Sequence, residues 1–188
     1  MDNFINQLIQ TLNLMQQNAL TALYVVAVFW GIYLLDVLLN HRLVILGIYP
    51  RHLLGLPGIL FNTFLHGNFE HLFFNSIPLF VLVDFVLMEG MHQFLMVSIY
   101  IILGSGLLLW LMGRRGIHIG ASSLISGYFG YLITNAYHHP SISAIILAVI
   151  CLYYFSGILL GLFPQEDKVS WEGHVFGFVT GIAVALLS

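Results

Sequence analysis

The chain has 188 residues, of which 60% are hydrophobic and 7% charged, against about 25% charged in an average soluble domain. So few charges could not coat a water-exposed surface, which excludes an ordinary soluble domain and points to an all-α polytopic membrane protein. A formal net charge of -3 offers no basic surface for nucleic acid, and the lone cysteine, Cys151, excludes an intrachain disulfide or a cysteine metal cluster.

In chain order, residues 1–18 come first. They hold no Lys or Arg, so they lack the charged head of a secretory signal. Phe4, Leu8, Leu12 and Met15 recur at helical spacing with Asn and Gln on much of the opposite face. This predicts either a helix lying on the membrane surface or a polar extension of the first span. Residues 19–188 form a single membrane domain. About 20 apolar residues cross a bilayer, and six segments qualify: Ala19–Leu39, His71–Met88, Phe94–Met112, Ala121–Tyr137, Ile142–Phe163 and Trp171–Leu187. Each must be helical, because lipid offers backbone groups no other partner.

The longest connection, residues 40–70, is too broken by Gly and Pro to span, yet it is apolar at Leu43–Gly47, Leu53–Pro57 and Ile59–Phe61. A loop embedded at the membrane interface is expected. Pro78 falls inside the second span and favours a kink there. Arg42, Arg51, Arg114, Arg115 and Lys168 all lie in odd-numbered loops, which by the positive-inside rule places those loops in the cytoplasm and the amino terminus outside.

Three segments carry residues with chemistry. The first is His66-Gly-Asn-Phe-Glu-His71-Leu-Phe-Phe-Asn75. His71 and Asn75 are four apart and share a helix face; two convergent donors in a dry site can stabilise an oxyanion, or simply join helices. The second is Gly120-Ala-Ser122-Ser123 at the start of span four, followed by Ser126, Gly127 and Gly130. The third is His174 in span six, with Gly177 and Gly181 completing a bare stripe. Small-residue faces let helices approach closely. A serine nucleophile needs that closeness, since its base must come within hydrogen-bond reach. A packing motif alone would account for the serine; nucleophile, base and donors from three separate segments favour hydrolysis.

This ordered set resembles the rhomboid intramembrane serine proteases over residues 64–187. The resemblance implies a six-span rhomboid-like bundle with an embedded first loop and a Ser122–His174 dyad without a carboxylate. His71, Asn75 and the Ser122 backbone N–H would form the oxyanion site, with His66, Gly120, Gly177 and Gly181 supporting. It implies membrane-spanning protein substrates cut near the outer edge of their span, a bacterial inner membrane, and an active site opening outward. That last point opposes the charge rule, and the family orientation is preferred. Glu89 resembles an acidic residue that ties helices together. No metal, nucleotide or organic cofactor is implied. Two positions depart from the family pattern. Ser123 stands where glycine usually follows the nucleophile, and Ser126 stands where some members have a bulky residue that would steady His174.

Competing readings are weaker. There is no His-Glu-x-x-His for zinc, and His66…Glu70-His71 is one residue too long for the inverted form. An inactive relative that binds membrane clients usually lacks Ser or His, and both are present. Asp36 and Asp84 suit a transporter, but no repeat of spans accompanies them.

Overall fold

A computed structural model describes residues 2–138, 140 and 170–188, with isolated positions 144, 145, 149 and 153. Apart from those four positions, the expected fifth span, Ile142–Phe163, lies outside the described residues, as do the turn at Gln165–Lys168 and Cys151. Among the described residues there are six α-helices: α1 (Asp2–Leu38), the short α2 (Gly58–Phe61), α3 (Phe69–Leu87), α4 (Met91–Met112), α5 (Ser122–His138) and α6 (Trp171–Leu187). Extended pairing among them is limited to one isolated bridge between Ile48 and His118. Three helices are long and apolar enough to cross a membrane, within Ile5–Leu38, Phe69–Leu87 and Met91–Met112, and α6 is a shorter apolar helix. This is an integral membrane protein built of helices.

The helices are apolar on the outside as well as the inside. α1 buries Ala22, Val26 and Phe29, one face of the helix, and exposes Leu20, Leu23, Tyr24, Val28 and Leu34. That outer surface is stable only where the solvent is itself apolar. α1 is continuous from Asp2, so residues 2–18 hold no break from the first span. Trp30 Nε1 donates to Ser76 Oγ at 3.0 Å and ties α1 to α3.

Residues 39–68 fold onto the end of α4. Asp36, buried at the end of α1, accepts from Leu43 N at 2.8 Å and lies 3.1 Å from His41 Nδ1, which fixes the chain's exit. Arg51 Nη1 donates to the carbonyls of Leu111 (3.1 Å) and Gly113 (2.9 Å). A cation on those last carbonyls satisfies groups a helix end leaves unpaired. The loop's outer face exposes Ile45, Leu53, Leu54, Leu60 and Phe61. At the opposite end, Glu89 accepts from Tyr131 Oη at 2.5 Å and from Asn135 Nδ2 at 2.6 Å, joining the α3–α4 turn to α5.

Candidate active site

The seam between α5 and α6 positions the site. A Cβ on Gly177 would run into the Ser123 carbonyl, and one on Gly181 into the Gly127 carbonyl, so the two backbones touch directly. Ser122 is the first residue of α5, and His174 stands one turn before Gly177. The contact at Ser123 and Gly177 thus carries the serine and the imidazole to the same end of the seam. Both line one cavity of about 830 Å³, together with His71 and Asn75 from α3. His71 and His174 are electrostatic neighbours there.

α3 is aimed at this cavity by its cap: Asn68 Oδ1 accepts from His71 N at 2.8 Å. Capping by Asn satisfies an otherwise orphaned N–H. The His71 ring lies over Gly120, where a Cβ would come within 2.8 Å of Cε1. Gly120 also has φ +126°, a backbone conformation open to glycine and strained for other residues. Its N–H donates to the Asn62 carbonyl at 2.9 Å.

His66 stands behind the cavity, 1% exposed. Its Nε2 lies 3.2 Å from Asn75 Nδ2 and 3.3 Å from Ala121 N. Both neighbours are donors, so Nε2 accepts and the ring is neutral with its proton on Nδ1. This holds the Asn75 amide with nitrogen toward His66 and ties α3 to the residue before Ser122. Burial, and then the adjacent His71, lower the His66 pKa from 6.5 to about 4. The unfolded chain therefore takes up this proton first as pH falls. Stability from His66 is full above pH 6.5 and declines toward pH 4, by about 3 kcal/mol in all. The denaturation midpoint in detergent should fall over that window, and His66→Asn should flatten that part of the profile; an unchanged profile in the variant would remove His66 as the cause.

Ser123 is buried and does not line the cavity; it faces the α5–α6 seam, where Gly173 is its neighbour. Ser126 is likewise buried in α5, away from the cavity wall.

The sequence reading did not single out a second set of residues. His118 Nε2 lies 2.8 Å from the Arg114 carbonyl, so it donates there, and Nδ1 accepts from Ser170 Oγ at 2.7 Å. Ser170 precedes α6 but makes no side-chain cap, its hydroxyl being turned to His118. Arg114 Nε and Nη2 donate to Glu172 at 2.5 and 3.2 Å, with Glu172 buried. These contacts strap the first turn of α6, which bears His174, to the segment leading into Ser122. No signal in the sequence pointed to them, since the partners stand 52 and 58 residues apart.

A serine, an imidazole and side-chain N–H donors around one cavity are the parts that acyl transfer uses. Among the described residues no group of three His, Cys, Asp or Glu side chains is placed to hold a metal ion.

Comparison with known proteins gives a consistent result. Residues 53–188 match the Rhomboid domain. An uncharacterized protein of Mycobacterium tuberculosis is 36% identical over 176 residues, covering 89% of this chain and 73% of the relative. One from Mycobacterium leprae is 33% identical, covering 89% and 70%. A protein of Acanthamoeba polyphaga mimivirus, named as a rhomboid protein, is 30% identical over 135 residues, covering 68% and 72%.

Proposed function

The chain belongs to the rhomboid family, and on that premise we propose that it is an intramembrane serine endopeptidase acting on membrane-spanning proteins. The observation that carries this reading is the grouping of Ser122, His174, His71 and Asn75 around one cavity. In this account His174 takes the Ser122 proton as Oγ attacks the scissile carbonyl, then returns it to the leaving amine. The acyl-enzyme is released by water. His71, Asn75 and the Ser122 backbone N–H receive the developing oxyanion. His66 acts indirectly, by fixing the Asn75 amide and holding Ala121 beside Ser122.

The six-span count, the embedding of residues 40–70 in the interface and a location in the bacterial inner membrane belong to the same proposal. So does an outward-facing site. Apolar side chains on the outer face of the loop support the embedding. Two of the arginines in the odd-numbered loops are engaged by partners within the chain, Arg51 on the end of α4 and Arg114 on Glu172. They therefore count for little as topological signals.

The test is cleavage of single-span proteins by purified protein in vesicles, with the cut mapped along the span. Cuts near its outer edge, unaffected by chelators, are the expected result; chelator-sensitive cleavage would point to metal chemistry instead. Asn75→Ala should lower kcat by about 10²–10³ with KM little changed, as for loss of one oxyanion donor. An unaltered kcat would remove Asn75 from the oxyanion site.

A further inference from the structure

We infer that the cavity selects a polypeptide carrying a carboxylate side chain close to the bond it presents to Ser122, and that Arg115 confers this selectivity. The inference names a substrate class for the site and rests on the reading just given. The chain as a whole is acidic, with a formal net charge of -3. Its cavity has the opposite character. The lining includes Arg114, Arg115 and three histidines, and no Asp or Glu is among the described residues that form it.

The two arginines differ in what they have left to give. Arg114 is committed to Glu172 through two guanidinium donors. Arg115 is exposed and has no hydrogen bond or ion pair with the described residues. The next residue, Gly116, has open space where a Cβ would stand, nothing lying within 4 Å of it. Ile117 and Ile119 contribute apolar wall to the same cavity. A cleft of low polarizability lined by one sign of charge focuses its field. A guanidinium presents a planar fork of donors that matches a carboxylate at two points. A phosphate of the lipid headgroup would meet the same fork, but Arg115 shares its cavity with Ser122 and His174, which favours a ligand that enters the cavity.

The experiment uses three single-span peptides, identical except for Asp, Ala or Lys beside the scissile bond. Their kcat/KM is measured with the full chain in uncharged, phosphate-free detergent, and their binding is measured with Ser122→Ala. The Asp peptide should be preferred over Ala by about three- to tenfold in both measurements, with Lys poorest. Raising salt to about 1 M should shrink the preference. Arg115→Ala should level the three peptides, and Arg115→Glu should favour Lys. Equal binding of the three peptides, or an acidic preference that survives Arg115→Glu, overturns the inference whatever the activity. Equal peptides with activity that rises with anionic lipid assign Arg115 to lipid phosphate and overturn it too. Arg115-dependent selection in binding without any cleavage would leave the inference standing and the protease reading refuted.

Discussion

Alanine at position 122 is expected to leave a folded protein whose peptide-bond cleavage falls on the order of 10⁴–10⁶-fold, the scale seen when a serine nucleophile is removed. The change deletes one hydroxyl from the first residue of α5. Alanine is the best helix former and adds no atom to the seam, so the denaturation midpoint in detergent should stay close to that of the parent. Loss of activity with an unchanged midpoint separates chemistry from folding. His174→Ala should behave alike, because neither partner works without the other. Cleavage at the parent's rate by Ser122→Ala would refute the assigned nucleophile.

The second large effect concerns Gly177. Its missing side chain is what allows α6 to rest on the Ser123 carbonyl. Valine there would need α5 and α6 to separate, since backbone cannot rotate away as a side chain can. Overpacking of this kind typically costs about 1–3 kcal/mol, and more where nothing yields. The accompanying shift of Ser122 against His174 should lower cleavage by about 10²-fold, the effect of misplacing reacting groups by roughly 1 Å. Gly104 supplies a control. A Cβ there would meet Thr180 Cγ2 at 2.7 Å, a side-chain atom and not backbone. Gly104→Ala should therefore be much milder. Equal midpoints for Gly177→Val and the parent would show that the two helices do not depend on this contact.

Much of this was legible in the sequence because the signals are local. The long apolar runs that become α1, α3 and α4 announce themselves by length; both ends of α3 and α4 and the far end of α1 fall within a few residues of expectation, whereas α1 begins at Asp2 and not at Ala19. His71 and Asn75 stand four apart on one turn, and Gly177 and Gly181 mark a bare face on α6; both patterns are periodic and need no tertiary information. The tie at Glu89 was visible only through family resemblance. What stayed hidden depends on how the chain returns on itself. Arg51 looked like a topological charge and is a cap on α4 reached across 60 residues. His118 and Ser170, or Arg114 and Glu172, carry no mark of each other until the fold brings α6 beside the turn after α4. Residues 1–18 were ambiguous for another reason. Their Asn and Gln suit a helix on a surface and a helix in continuation equally, and α1 runs unbroken from Asp2.

The central claim is that Ser122 and His174 share a proton, and the most direct measurement is the site of a fluorophosphonate adduct. The protein is treated in detergent, digested and mapped by mass spectrometry, beside His174→Ala. The account predicts a single adduct on Ser122 in the parent and none in the variant. An adduct elsewhere, or one on Ser122 that forms as fast without His174, would contradict it.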